Sequence, residues 1–268
     1  GLTTYHWGAP VSPTYKYGVD TRAQVTLLSR NIRTPREDIE SWGAQIVTSD
    51  TIEWDLTVRQ GQLFMDNVEV YNASQANTEK AAIRFEGNTG LYSAVTNCAI
   101  HNGAAWGVHI KESANILFKD NIVFRMKPFS FVVSTSRNIT LDGNVAISTV
   151  PREKDYDKTT MAVDLEAAFA ICSVKNGDRC SDISIVNNIA AGATYAGFVV
   201  PAHDCGDTNQ KLFRDNIAHS VWGKPRLGLG AFIFPDPAKN HATTCYEGSK
   251  FTAYKCAEQG AFMFFSGI

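Results

Sequence analysis

A short phrase recurs along the chain, and it constrains the fold more than any other feature of the sequence. Each copy has an apolar residue, one or two polar residues, a small polar residue that is usually Asn, and then an alternating apolar strand. The copies read FMDNVEVYN, VTNCAIHN, FKDNIVFR, LDGNVAIS, IVNNIAAG, FRDNIAHS and AYKCAEQG. Their small polar residues define one column: Asn67, Cys98, Asn121, Asn144, Asn188, Asn216 and Cys256. Repeats of about 20–50 residues are typical of solenoids.

The repeat predicts both the length and the architecture of one coil. Cys98, Asn121 and Asn144 follow one another at intervals of 23 residues. Each unit contains short runs with period-2 alternation between Asn, Asp or Gly, which indicate strands rather than helices. The sequence therefore predicts an all-β, right-handed, single-stranded parallel β-helix, a pectin-lyase-like solenoid, in which the column residues form a hydrogen-bonded ladder. The alternative is a β-sandwich with Asn-rich hairpin turns, which has no reason to keep one column in phase.

The whole chain, 1–268, is interpreted as one parallel β-helix segment. Residues 1–60 are expected to form less regular initial coils, and 61–268 regular coils with insertions near 149–182, 202–212 and 236–248. The sequence stops directly after an apolar strand, whereas solenoids need polar caps at their ends. We therefore expect a piece of a longer protein.

Charge and hydropathy exclude several classes of partner. The 25 basic and 27 acidic residues give a net charge of −2, which does not indicate nucleic acid or an acidic membrane surface as a partner. No apolar stretch reaches the length of a transmembrane helix, so this segment is not expected to contact a membrane. We predict no cofactor.

The six cysteines fall into two groups. Cys98 and Cys256 lie in the ladder column and are expected to be buried and free. The other four lie in insertions, which indicates an oxidising compartment. We predict the disulfides Cys172–Cys180 and Cys205–Cys245, although spacing alone does not fix connectivity. Metal binding is the alternative, but no CxxC or HxxxH spacing occurs. Asn72 and Asn138 begin two N-x-S/T triplets and are predicted glycosylation sites.

Several phrases, taken in order, resemble the fibrocystin and fibrocystin-L family of large cell-surface proteins. TYHWG, DTRAQVTLLSRNI and WGAQI are similar to the segment that leads into that family's parallel β-helix region. GQLFMDNVEVYN, CAIHNGAAWGVHI, KDNIVFRM and NNIAAG resemble its successive coils, and CYEGSKFTAYKCAEQGAFMFF resembles a two-cysteine coil. The cell-migration-inducing hyaluronidase-type proteins have a related architecture. The charged insertion at 148–172, with Asp164 and Glu166, departs from the family pattern.

The resemblance implies a rigid spacer or adhesion surface within a very long extracellular glycoprotein. It implies a location at the cell surface, with the ciliary membrane as a specific case. The partners it implies are other extracellular domains or proteins, or a polysaccharide. It supplies no active-site motif.

A polysaccharide lyase or glycoside hydrolase is the alternative function. Asp164 and Glu166 are the best acidic pair, because residues i and i+2 of a strand share a face about 6.5–7 Å apart. That spacing is compatible with a retaining glycosidase. The simpler interpretation is a solvated strand face. We therefore name both only as weak catalytic candidates.

Other polar residues have a functional and a simpler interpretation. His101 and His109, near Lys111 and Glu112, could act as a base with its partners, but surface or turn positions are more common for such residues. His203, Asp204 and Asp207 could hold calcium, but they lack EF-hand spacing. Trp7, Trp42, Trp54, Trp106 and Trp222 could stack on sugars, but packing residues are commoner. No acid, base and charge-neutralising set recurs in one column, which favours a non-enzymatic segment without a metal site.

Overall fold

The computed structural model describes residues 26–30, 32–33, 43–52, 58–151, 166–172, 180–204, 212–223, 228–234, 244–245 and 248–263. The described part consists of strands and turns. Its strands form three long parallel sheets and two short antiparallel pairs. The chain passes through the first, second and third sheet once per coil and then begins the next rung. This is a parallel β-helix, as the repeat predicted.

The three sheets contain seven, eight and eight described strands. The first sheet comprises β5 (Phe64–Asp66), β8 (Ser93–Thr96), β11 (Ala114–Lys119), β14 (Arg137–Asp142), β17 (Ser181–Val186), β21 (Leu212–Arg214) and β25 (Gly248–Ser249). The second comprises β1 (Ile32–Arg33), β6 (Val68–Tyr71), β9 (Ala99–His101), β12 (Ile122–Phe124), β15 (Val145–Ile147), β18 (Ile189–Ala191), β22 (Ile217–His219) and β26 (Thr252–Tyr254). The third comprises β2 (Ile46–Thr48), β7 (Ile83–Glu86), β10 (Val108–Lys111), β13 (Phe131–Ser134), β16 (Ala167–Ile171), β19 (Ala196–Pro201), β23 (Leu229–Phe234) and β27 (Gln259–Met263). The antiparallel pairs are β3 (Thr51–Ile52) with β4 (Val58–Arg59), and β20 (His203–Asp204) with β24 (Thr244–Cys245).

The core runs along the solenoid axis, because alternate residues of every sheet point inward and stack on the same position of the next rung. Phe131, Phe169 and Phe198 of the third sheet form a continuous stack. Their ring centroids lie 4.9 and 4.8 Å apart, with interplanar angles of 3° and 11°. All three rings are completely buried. In-register pairing therefore turns one inward phenylalanine per rung into a column that joins neighbouring coils.

An asparagine ladder occupies the corner between the first and second sheets. Asn121, Asn144, Asn188 and Asn216 are fully buried. The Oδ1 atom of Asn144 accepts from the Asn121 backbone N–H at 3.1 Å and from Asn121 Nδ2 at 2.9 Å. Asn188 and Asn216 accept in the same way from the rung before them. Cys98 ends the ladder, since its backbone N–H donates to Asn121 Oδ1 at 2.9 Å.

Two residues of the predicted column lie outside this ladder. The pairing of Glu69 with Ala99 places Val68, not Asn67, opposite Cys98. At the other end, Ile217 pairs with Thr252, so Phe251 lies opposite Asn216. Asn67 instead occupies the preceding position, and Cys256 lies opposite Val221 at the corner between the second and third sheets.

Asn67 and Cys256 were wrongly assigned to the ladder because the corner between the first and second sheets and the corner between the second and third sheets use the same local backbone turn. One residue with positive φ is followed by a small or apolar residue that points into the core. The positive-φ residues of the first corner are Asn67, Asn97, Asp120, Gly143, Asn187, Asp215 and Lys250. Those of the second corner are Asn72, Asn102, Arg125, Ser148, Gly192, Ser220 and Lys255. A sequence pattern that reads only this turn cannot separate Lys255–Cys256 from Asp120–Asn121.

The third corner, between the third and first sheets, carries a shorter ladder. The Oγ atom of Ser113 accepts from the Asn88 backbone N–H, and the Oγ atom of Ser136 accepts from that of Ser113, both at 3.1 Å. Arg137 pairs with Ser181, so Cys180 occupies the ladder position of the next rung, opposite Ser136.

A disulfide bond closes this corner where the chain carries an insertion. Val133 pairs with Ile171, so Cys172 lies opposite Ser134, and Cys180 lies opposite Ser136 at the ladder position. The two are bonded, with Cα atoms 6.2 Å apart. The bond thus joins two positions that are two residues apart in the preceding rung.

Candidate interaction surface

Of the predicted acidic pair, the structure describes Glu166. Glu166 lies directly before β16 and is 5 % exposed, which contradicts the interpretation of this residue as part of a solvated strand face. Asp164 lies outside the described residues. The Glu166 backbone carbonyl accepts a hydrogen bond from the Ala196 N–H of the next rung, at 3.2 Å. Glu166 therefore contributes to rung stacking.

His101 and His109 lie on different sheets and do not form one site. His109 is on β10 of the third sheet, with its ring 4.8 Å from that of Trp106. Burial lowers the pKa of His109 to about 4, and neighbouring Glu79 opposes this shift. His109 is therefore neutral at physiological pH and serves as a packing residue.

His101 has an acidic partner that sequence reasoning missed. Its Nε2 atom lies 3.2 Å from Glu69 Oε1, and its Nδ1 atom lies 3.1 Å from Asn102 Oδ1. Glu69 and His101 are each 7 % exposed, and the Tyr71 ring lies 5.0 Å from the imidazole. Glu69 and His101 occupy the same outer face one rung apart, which the correct alignment of FMDNVEVYN with VTNCAIHN would have indicated.

The remaining candidates are dispersed. β20 pairs with β24, which places Cys245 opposite His203. Cys205 and Asp207 lie outside the described residues, as do Trp7, Trp42 and Trp54. Within the described ranges, no group of three or more His, Cys, Asp or Glu side chains could hold a metal ion. That part also has no helix suited to crossing a membrane.

The two tryptophans that the structure describes differ in exposure. Trp106 is 2 % exposed and packs edge-on against Phe129, whereas Trp222 is 66 % exposed. Trp222 thus remains available for contact, and Trp106 does not.

The outer faces of the three sheets differ in chemistry. The first is mixed: Phe64 is exposed there, and Asp142 contacts Lys119 Nζ at 4.0 Å and accepts from Asn187 Nδ2 at 2.9 Å. The third is covered, since Val132 and Ala170 point outward but are fully buried in a second hydrophobic cluster. The second is apolar and only half-buried, and we call its central part the apolar ledge.

The apolar ledge consists of the outward side chains of β12, β15, β18 and β22. These side chains alternate with the small inward residues Ala146, Ala190 and Ala218, which are completely buried. The ledge residues are half-buried: Ile122, Phe124, Val145, Ile147, Ile189 and Ile217. The sequence contains the signal for this surface, since these strands read IVF, VAI, IAA and IAH without alternation. Such uninterrupted apolar strands are typical of sheets covered on both faces.

The two predicted glycosylation sites have different surroundings. Asn138 is exposed near the start of β14, and its Nδ2 atom donates to Asn115 Oδ1 at 2.7 Å. Asn72 is half-buried, and Ser74 of its triplet is fully buried, with Oγ accepting from the Ala105 N–H at 2.7 Å. Of the two sites, only Asn138 has an exposed side chain in the folded chain.

Comparison with curated proteins relates this chain to the fibrocystins. It is 26 % identical to fibrocystin from Mus musculus over 245 residues, which cover 91 % of the chain. It is 26 % identical to fibrocystin-L from Homo sapiens over 215 residues, which cover 74 % of the chain. The chain spans about 5 % of the length of each of these relatives. No family model matches the chain, and no solved structure matches it.

Proposed function

We propose that this chain, as a relative of fibrocystin and fibrocystin-L, is a rigid, non-enzymatic segment of a large extracellular cell-surface protein. Its role would be that of a spacer or an adhesion surface. The observation that supports this most is the asparagine ladder, in which buried side chains join one rung to the next without interruption from Cys98 to Asn216. Because each rung is also paired in register within three sheets, the segment is suited to holding its neighbours at a fixed separation.

An oxidising, extracellular location is supported by the Cys172–Cys180 bond and by the exposed side chain of Asn138. Within that location we propose the ciliary membrane as the site of the longer protein. Surface labelling of intact ciliated cells, followed by glycosidase treatment, tests this proposal. We expect a labelled product much longer than 268 residues that loses mass on deglycosylation. A product found only in the cytosol would refute it.

A polysaccharide-active enzyme is the second candidate, and the Glu69–His101 pair is the observation that favours it. A carboxylate next to an imidazole can position a general base. Both ring nitrogens of His101 are already engaged, however, and both side chains are nearly buried. We therefore expect no scission of hyaluronan or pectate by the purified chain, measured as reducing ends over time. Scission that is lost in Glu69→Gln and kept in Glu112→Gln would establish the enzyme instead.

A further inference from the structure

Two aromatic side chains are exposed next to each other on the outer face of the first sheet. Phe64 is 62 % exposed and Tyr92 is 49 % exposed, and their ring centroids lie 6.1 Å apart. Phe64 pairs with Ala94 of the next rung, so Tyr92 is its diagonal neighbour on the same face, within reach of a large ring. We call Phe64 and Tyr92 the aromatic pair.

The strand register places the aromatic pair in line with the predicted glycosylation site Asn138. The pairing of β8 with β11 puts Tyr92 beside Asn115. The pairing of β11 with β14 puts Asn138 on the other side of Asn115. Two rungs of about 4.8 Å each therefore separate Tyr92 from Asn138, a distance that the first sugar rings of an N-linked glycan can bridge.

The Asn138 side chain is directed towards the aromatic pair. Its Nδ2 atom, the atom that carries the sugar in a glycosylated asparagine, donates to Asn115 Oδ1 at 2.7 Å, on the rung between Asn138 and Tyr92. Glycosylation replaces one of the two Nδ2 hydrogens, so the other can keep this contact. On the opposite side of Asn138 the column continues with the exposed Asp182. A glycan that leaves Asn138 towards Asn115 thus reaches aromatic rings, whereas the other direction offers a carboxylate.

The surroundings of the aromatic pair fit a sugar ring better than a protein partner. A pyranose has an apolar C–H face, which can lie on an aromatic ring, and a rim of hydroxyl groups that need polar neighbours or water. Beside the pair, Asp66 accepts from Thr96 Oγ1 at 2.7 Å and from Asn97 Nδ2 at 2.8 Å. Two rings also offer far less area than the roughly 800 Å² that each partner buries in a stable protein complex.

We propose that an N-linked glycan on Asn138 packs on the aromatic pair and covers this end of the first sheet. The inference rests on the proposed function, because N-linked glycans are found on secreted and cell-surface proteins. The packed sugars would hide an exposed apolar surface and bridge the rungs of β5, β8, β11 and β14 from the outside.

Hydroxyl-radical footprinting with mass spectrometry tests the proposal in the secreted, glycosylated protein. The readout is the oxidation rate of Phe64 and Tyr92, normalised to the exposed Trp222, which follows β22. We expect these rates to be about three- to tenfold lower than in Asn138→Gln, which removes the glycan and keeps an amide. Enzymatic release of the glycan from the unmodified folded protein should raise the rates in the same way.

A reciprocal measurement separates packing from general shielding by a mobile glycan. Phe64→Ser with Tyr92→Ser removes both rings, and Trp222→Ser is the matched control. We expect peptide N-glycosidase to release the Asn138 glycan several-fold faster from the folded double variant than from the unmodified protein, with no change in Trp222→Ser. After denaturation, all three proteins should release it at the same rate.

The other outcomes overturn the inference. Oxidation of Phe64 and Tyr92 that does not depend on the glycan, or equal release rates from the three folded proteins, would exclude packing. A secreted protein without a glycan on Asn138 would also overturn it and would leave the proposed function intact. A protein found only in the cytosol would refute both.

Discussion

Asn144 shows how a single side chain supports three rungs. Its Nδ2 atom donates to the Phe118 carbonyl of the preceding rung and to Asn188 Oδ1 of the next, and its Oδ1 atom accepts from Asn121. A residue of similar size that lacks the Nδ2 donor cannot make these contacts. Asn138 makes a single amide–amide contact with Asn115 at the surface and offers a matched comparison.

Asn144→Asp is expected to lower the free energy of unfolding by about 3 kcal/mol or more, because it buries a carboxylate against two acceptor oxygens. The same change at the exposed Asn138 should cost less than about 0.5 kcal/mol. Equilibrium urea unfolding of both variants checks this difference. Similar midpoints for the two variants would show that the ladder contributes little to stability.

His109 gives the folded chain a defined dependence on pH. Its pKa is lowered to about 4, chiefly by burial, so the folded state favours the neutral ring, while the unfolded state takes up a proton below its usual pKa near 6.5. The stabilisation is therefore fully present above pH 6.5 and is lost as the pH falls towards 4. The shift corresponds to about 3 kcal/mol.

Glu79, Glu86, Arg84 and Lys111 act electrostatically on His109. His109→Gln separates their effect from that of the imidazole. We expect the variant to lose much less stability than the unmodified chain between pH 6.5 and 4, measured by chemical denaturation at fixed pH values. Parallel pH profiles would contradict the assignment to His109.

The sequence determined most of the ladder but not its two ends. Asn121, Asn144, Asn188 and Asn216 could be aligned because each follows an Asp, Gly or Asn and precedes an apolar strand. Val68 and Phe251 could not be recognised as their column neighbours, because neither residue continues the polar pattern. Pairing register, which depends on contacts between distant residues, identifies both.

At the scale of elements, the corner at Cys172–Cys180 shows how the solenoid accommodates an insertion. Closing a nine-residue loop by a disulfide contributes about 2–3 kcal/mol in the chain-entropy model. Replacing 172–180 with Ser-Thr-Ser, as at 134–136, would remove both the insertion and the need for the bond. We expect this variant to retain the melting temperature of the oxidised chain.

The disulfide variant Cys172→Ser with Cys180→Ser supplies the contrast. It keeps the long loop without its closure, and its melting temperature should fall by several degrees, as expected for about 2 kcal/mol. Differential scanning calorimetry measures both variants. If the shortened corner were as destabilised as the double serine variant, the equivalence of the two corners would be wrong.

The phenylalanine column is the corresponding element of the core. Phe169→Ala would leave a cavity between Phe131 and Phe198 and should cost about 3–5 kcal/mol. Phe64→Ala is the control, because Phe64 is 62 % exposed, and it should cost less than about 1 kcal/mol. Guanidinium unfolding of both variants tests the difference. Equal losses would mean that stacking inside the solenoid is not the source of its stability.

At the scale of the whole molecule, stability should vary along the solenoid axis, since each rung contacts only its neighbours. β12 pairs with β9 and β15, and Val123 at its centre is fully buried. β27 pairs with β23 alone in the described part, and most of its residues are exposed. Hydrogen exchange in the 268-residue chain should be slowest at β12 and fastest at β27. Uniform protection would indicate a single cooperative unit.

The whole fold was accessible from the sequence, whereas the surface was recognised only in part. The 23-residue interval predicted the parallel β-helix because stacking in register is the only way to keep one column in phase. Glu69 was missed because the alignment placed Asn67, instead of Val68, in the column of Cys98. The apolar ledge was missed although β12, β15, β18 and β22 lack alternation in the sequence. Asp164 and Glu166 were named as weak catalytic candidates because their spacing suits a pair of acids, but Glu166 is buried beside the third sheet.

The asparagine ladder also gives the solenoid an electrical polarity. From Asn121 to Asn216 each carboxamide oxygen accepts from the rung before it, and the Nδ2 atoms of Asn121, Asn144 and Asn188 donate to the carboxamide oxygen of the rung after them. Four aligned side-chain dipoles polarise one another, as hydrogen-bonded chains do in a medium of low dielectric constant. The negative end of this dipole series lies next to Cys98, whose backbone N–H donates a hydrogen bond to Asn121 Oδ1. The positive end lies next to Phe251, whose side chain has no acceptor for a further hydrogen bond.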